Sequence, residues 1–274
     1  MSKWLTNFLL VLVLLAGLSL LLYPTVADLW NSMHQSRAIA TYTESMAELD
    51  DSLYQAALEE ARAYNESLLT DRMRYYPDEA AMERYNAVLD VTGSGVMGYI
   101  EIPKISVMLP MYHGTSDGVL QVAVGHVVGS SLPVGGESTH CILSGHRGLP
   151  SATLFTNLDR MEIGDTFMLH VLNETLTYEV DEILVVEPEE ITALQIEEGA
   201  DLCTLVTCTP YGVNSHRLLV RGRRIETEED DTPRLTTRIT GNAEQVDQRV
   251  VGICVAVPIL LILFIGLMIC TRKR

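Results

Sequence analysis

Two charge-free apolar runs, residues 5–23 and 250–270, bracket this chain. Each is long enough to cross a bilayer as a helix, which takes about 20 residues. Thr6 and Asn7 are the main polar interruptions of the first run. Lys3 precedes that run, and Arg272, Lys273 and Arg274 follow the second. The positive-inside rule then places both termini in the cytoplasm and everything between the runs outside the cell. Residues 23–30 offer no small-x-small cleavage site, so the first run is expected to stay as an anchor rather than leave as a signal peptide.

The formal charge of −17, with no basic stripe to neutralise phosphates, argues against a nucleic-acid partner. The densest acidic stretch, residues 226–231, reads as a solvated linker. Residues 232–248 are polar, lack apolar periodicity and suit a tether to the second span.

Between the anchors the texture changes twice. From residue 37 to 68, Ile39, Tyr42, Met46, Leu49, Leu53, Ala57, Ala61, Tyr64 and Leu68 recur at three-to-four spacing, the pattern of one amphipathic helix serving as a stalk. Residues 70–95 carry Asp71, Pro77, Asp78, Asp90, Gly93 and Gly95 among short apolar runs, a connector with broken helix. After Gly95 come short runs rich in β-branched, aromatic and aliphatic residues: 99–102, 107–112, 140–144, 167–172, 176–186, 202–208 and 218–225. Gly, Pro, Asn and Asp separate them, so the expectation is a mainly β barrel or sandwich with a short helix near 151–158. The expected organisation is therefore an N-terminal anchor over 1–30, a helical stalk and connector over 31–94, a β domain over 95–226, a linker over 227–248 and a second membrane helix with a basic tail over 249–274.

Cys254 and Cys270 lie in the second apolar run, which leaves three exported cysteines, Cys141, Cys203 and Cys208. An odd count outside the cell leaves at least one thiol unpaired. Cys203 and Cys208 stand five apart on one predicted strand, so alternation sends them to opposite faces. Cys208 ends its strand and is followed by Thr209, Pro210, Tyr211 and Gly212, a turn at the rim of the sheet. Rigid scaffolds tend to present functional groups at such places, although most free cysteines are small buried hydrophobes. His146 and Arg217 sit next to turns in the same way, and either alone is an ordinary polar residue.

Taken together, their surroundings resemble the sortase family. Thr204-Leu205-Val206-Thr207-Cys208 is similar to its Thr-Leu-x-Thr-Cys nucleophile motif, and Ser144-Gly145-His146-Arg147-Gly148 to its histidine segment. Arg217, within Asn214-Ser215-His216-Arg217-Leu218, falls where the family carries an arginine. Gly95-Val96-Met97-Gly98-Tyr99-Ile100-Glu101-Ile102-Pro103-Lys104 resembles the opening strand of class C members, and segments 132–137 and 154–156 also match. The resemblance runs from about residue 95 to 225 and implies a sortase-type β-barrel with short helices. It assigns Cys208 as nucleophile, His146 as its partner and Arg217 as the group that steadies the reacting carbonyl.

The chemistry needs these residue types. A thiolate is the attacking species, and a cationic neighbour favours it. An imidazolium can protonate a leaving amine. A guanidinium can hold a carbonyl oxygen as it becomes an oxyanion. As the resemblance implies, the substrate is a pilin or surface protein bearing a Leu-Pro-x-Thr-Gly-like sorting signal, the acceptor is a pilin lysine amine, and no cofactor or metal is involved. The nearby alternative joins surface proteins to peptidoglycan by the same reaction; a binding ectodomain without catalysis is the reading from a different class.

Class C members carry a lid with an Asp-Pro-aromatic triplet. Residues 70–90 contain no such triplet; Tyr75-Tyr76-Pro77-Asp78 has related ingredients in another order. The expectation is a plain connector, with Asp71 and Tyr76 as the residues that would serve as plugs. In the family the strands carrying Cys141 and Cys203 pair in parallel, which would make those cysteines level neighbours. Two buried free thiols are expected there, because bridging between adjacent strands is strained. The loop 187–199 falls where family members recognise substrate.

Overall fold

The computed structural model describes residues 3–227, in two units that meet in sequence between Trp30 and Asn31. The expected linker 227–248 and second membrane helix 249–274 lie outside the described residues, apart from Thr227. Helix α1, Lys3–Ala47, begins in the first unit and includes one segment long and apolar enough to cross a membrane.

The stalk is two helices rather than one continuous helix. Helix α1 ends at Ala47 and α2 runs Asp51–Leu68. Asp50 causes the break: its carboxylate accepts the Ser52 N–H at 2.8 Å, capping α2. Such a side chain satisfies one of the donors that a helix start leaves unpaired. The apolar pattern passes through the break because both helices bury a stripe, Tyr42 and Met46 on one and Leu58, Ala61 and Leu68 on the other. Leu53, expected in that stripe, is exposed.

Two polar side chains fasten these helices to the β domain. The Tyr42 hydroxyl donates to Met97 O at 3.0 Å and accepts from Leu172 N at 2.7 Å. Asn65 accepts from Leu132 N at 2.7 Å and donates to Leu132 O at 3.2 Å. Both are buried, and they supply partners to Met97 O, Leu172 N and Leu132 N, while Leu132 O also accepts from Val134 N at 2.8 Å. The connector holds one helix, α3, Glu79–Ala87, capped by Asp78, whose carboxylate accepts from Ala81 N at 2.7 Å.

The β domain is a closed barrel of eight strands: β1 Val96–Ile102, β2 Val107–His113, β3 Val124–His126, β4 Thr139–Ser144, β5 Thr166–Val171, β6 Glu174–Val186, β7 Asp201–Thr209 and β8 His216–Ile225. Around the barrel they run β1-β2-β3-β4-β7-β8-β6-β5. Seven fall on the expected runs. The eighth, β3, is three residues long, too short to show periodicity, yet it pairs parallel with β2 and antiparallel with β4 and closes the wall.

Alternate residues of each strand fill the interior. Cys141 and Leu143 from β4, Cys203 and Leu205 from β7, and Leu218 and Val220 from β8 belong to one continuous core with Phe167 and Tyr178. The short helix expected at 151–158 is instead a run of turns ending in a 3-10 turn, Leu158–Arg160. It is tied to the neighbouring loop: the Phe155 backbone N donates to His146 O at 3.1 Å, and the Thr156 side-chain hydroxyl accepts from Gly148 N at 3.1 Å. The segment's own bonds, Thr156 N to Thr153 O at 2.9 Å and Leu158 N to Phe155 O at 3.1 Å, close three-residue turns rather than an α-helical ladder.

Candidate active site

Cys208 and Arg217 are Cα partners on antiparallel strands β7 and β8. Interior positions on β7 are those of Cys203 and Leu205, so Cys208, at the opposite parity, projects from the outer face. The same reasoning holds for Arg217, which precedes the interior Leu218. Directly opposed residues on one face typically have Cβ atoms about 5 Å apart. Both side chains are half-buried. The Arg217 guanidinium donates to His216 O at 3.1 Å and Asn214 O at 3.3 Å, folding back onto the turn between the two strands.

His146 arrives from the other side. Strand β4 runs parallel to β7 in a register that ends at Ser144 opposite Val206. The alignment continues past the strand: Gly145 N donates to Val206 O at 3.1 Å, and the Thr207 hydroxyl donates back to Gly145 O at 2.8 Å. The chain leads from there into His146, so β4, β7 and β8 carry the segments bearing His146, Cys208 and Arg217 toward one end of β7. Gly145 is required for this approach, since a Cβ there would lie 2.7 Å from the Phe155 ring.

The residues after the histidine and the cysteine are themselves joined. Arg147 Nη1 donates to the Thr209 hydroxyl at 3.3 Å, Nη2 pairs with the Asp159 carboxylate, and the guanidinium lies 6.0 Å from the Tyr211 ring centroid. Thr207, Arg147 and Asp159 were not singled out from the sequence for these roles. Thr207 and Arg147 lie within the quoted motifs, but their contacts depend on strand register and loop folding.

Beside the site, the loop between β6 and β7 is held from below and from above. From below, His140 bonds Gln195 O through Nδ1 at 2.8 Å and the Thr204 hydroxyl through Nε2 at 2.7 Å. Burial holds the imidazole below the ordinary histidine pKa, opposed by the bond to Gln195. From above come two connector residues. Arg74 donates to Gln195 Oε1 at 2.9 Å, and the Tyr75 hydroxyl to Leu194 O at 3.2 Å. Asp71 accepts from Met73 N at 2.8 Å, and Tyr76 is 79% exposed. A plug would be covered by what it fills, so Tyr76 does not occupy that position here; the connector instead braces the loop through Arg74 and Tyr75.

Cys141 and Cys203 face each other across β4 and β7, and both are free and buried. Burial raises the Cys203 thiol well above its ordinary value. It acts in the same sense on Cys141, but hydrogen bonds from Cys203 and His126 outweigh it and carry that thiol downward, so Cys141 is the readier of the pair to ionise. Neither reaches the outer face where Cys208 lies.

A closed barrel that carries a cysteine, a histidine and an arginine toward one strand end is compatible with cysteine acyl-transfer chemistry. Residues 100–225 match the Sortase domain family. Sortase C1 from Streptococcus agalactiae superposes with a TM-score of 0.69 at 50% identity, covering 70% of this chain and all of that one. Sortase C from Streptococcus pneumoniae, whose structure is described as informing pilin substrate specificity, gives 0.62 at 42% identity over 70% and 97%. Sortase D of Bacillus subtilis is 30% identical over 131 residues, 47% of this chain and 63% of its own length. The chain belongs to the sortase family of cysteine transpeptidases, and these solved neighbours are class C sortases.

Proposed function

We propose that this protein is a pilin-polymerising transpeptidase. Cys208 Sγ attacks the threonine carbonyl of a Leu-Pro-x-Thr-Gly-like signal; the S–C bond forms as the Thr–Gly C–N bond breaks. His146 gives a proton to the departing glycine amine, and Arg217 holds the carbonyl oxygen through the tetrahedral stage. A lysine amine of another pilin subunit then displaces the thiolate, leaving an isopeptide bond. The reaction is placed on the outer face of the membrane, with the first apolar segment as anchor.

The observation that supports the reading is the register of β4, β7 and β8, which pairs Cys208 with Arg217 and runs the segment leading into His146 alongside Val206 and Thr207. Similarity to class C structures at 42% and 50% identity favours a pilin acceptor. Incubation of the protein with a pilin bearing the signal, followed by mass spectrometry of the product, tests it. A Thr-to-Lys isopeptide between subunits is expected, and Cys208→Ala is expected to abolish it. Threonine joined to a peptidoglycan amine would point to surface anchoring instead, and cross-linking that persists without Cys208 would refute the mechanism.

A further inference from the structure

The side chain of Arg147 is buried, with only 9% exposed, and its Nε–H has no hydrogen-bond partner. Buried guanidinium donors are normally all satisfied, so a side chain kept here with one donor unpaired is held by its other contacts. Arg147 follows His146 in sequence and Thr209 follows Cys208, and the two followers are bonded to each other. Thr209 lies on β7 one position beyond Cys208 and so points to the opposite face. The tie therefore runs behind the reacting groups and leaves their own face open.

Two further contacts make the tie directional. The pairing with Asp159 fixes the other prong of the guanidinium to the turn Leu158–Arg160. The ring of Tyr211 lies beside both Arg147 and Gly148: a Cβ on Gly148, whose φ is +77°, would come within 2.9 Å of that ring. The segments that follow His146 and Cys208 are thus packed against each other as well as bonded.

We propose that Arg147 is a positioning residue for the transfer reaction, its guanidinium setting the separation of the His146 and Cys208 segments by bridging Asp159 and Thr209. A planar two-pronged cation can hold two partners at a fixed angle; lysine, with one charged point, cannot. The contacts of Arg147 are with Thr209, Asp159 and the Tyr211 ring, so in this proposal it acts through the two segments it joins.

The proposal rests on Cys208 as nucleophile, and its test separates the two ideas. Full-length protein in detergent micelles is assayed with a Leu-Pro-x-Thr-Gly peptide for kcat and KM. In parallel, alkylation of Cys208 by iodoacetamide is followed against pH by peptide mapping. Arg147→Met is expected to lower kcat tenfold or more with KM within twofold, and Arg147→Lys to recover only part of that. Thr209→Val, which leaves Arg147 in place and guards against misfolding of the first variant, should lower kcat in the same sense. The double variant should be no slower than Arg147→Met alone, since both remove one interaction. The Cys208 alkylation profile of Arg147→Met should move toward that of His146→Ala. An unchanged profile, or a kcat within twofold of wild type in both single variants, overturns the proposal. If wild type cleaves no peptide, the assigned reaction fails, and the alkylation profiles still decide the role of Arg147.

Discussion

Cys208 and Arg217 occupy directly opposed positions on β7 and β8, so the proposed nucleophile and the arginine proposed to hold the carbonyl oxygen are fixed by one rung of backbone pairing. Removing a donor aimed at a developing oxyanion typically costs about 100- to 1,000-fold in kcat. Arg217→Ala is expected to show a loss of that size in single-turnover thioester formation, with little change in KM. Arg217→Lys should keep the charge but lose the two-pronged geometry and recover only part of the rate.

Thr207 braces the histidine loop from inside the barrel. Thr207→Val keeps the volume and leaves the buried Gly145 carbonyl without its side-chain donor. The expected cost is about 1–3 kcal/mol of unfolding free energy, read by urea titration. Thr207→Ser, which keeps the hydroxyl, should lose much less.

Tyr42 is the corresponding fastening for the stalk. Tyr42→Phe removes the hydroxyl that serves both Met97 O and Leu172 N, and is expected to cost about 1–3 kcal/mol. Hydrogen exchange should show the Leu172 amide losing protection. No comparable change is expected at the Asn65–Leu132 pair.

His140 gives stability a dependence on pH. Its folded pKa lies below the ordinary 6.5, so between those two values the unfolded chain binds more protons than the folded one. Stability therefore rises with pH across that window and is fully present above the unfolded value. It declines as pH falls below 6.5 toward the folded pKa. His113, also lowered by burial, acts with the same sign. Thermal unfolding from pH 7.5 to 5.0 should show a falling Tm with a shallower slope in His140→Gln.

Cys141 and Cys203 are both free despite facing each other. Denaturation without reductant, alkylation and peptide mapping should find both thiols modified. Recovery of a linked Cys141–Cys203 peptide from freshly purified protein would contradict that arrangement.

Much of the site was legible before any coordinates. Seven of the eight strands announce themselves through β-branched and apolar runs between Gly, Pro and Asn. Cys208, His146 and Arg217 stand in motif surroundings that survive as contiguous strings. β3 was not legible because three residues cannot display a period, and its pairing comes from β2 and β4. The break at Asp50 was hidden because the apolar spacing runs straight through it. The turns at 151–158 were misread as helix because their hydrogen bonds go to His146 and Gly148, partners that local propensity does not reveal.

By itself the sequence determined the membrane-compatible first helix and the mainly β character of the domain, and it supplied the motif surroundings from which Cys208, His146 and Arg217 are proposed as the reacting residues. Each is encoded in the composition or order of a short stretch. Tertiary structure alone decided that the barrel closes and that Arg147 meets Thr209 across the site. It also decided that the connector braces the β6–β7 loop through Arg74 and Tyr75 while Tyr76 stays in solvent. Those outcomes depend on which backbone and side-chain polar groups meet once distant segments come together, and that pairing is settled only when the whole chain has folded.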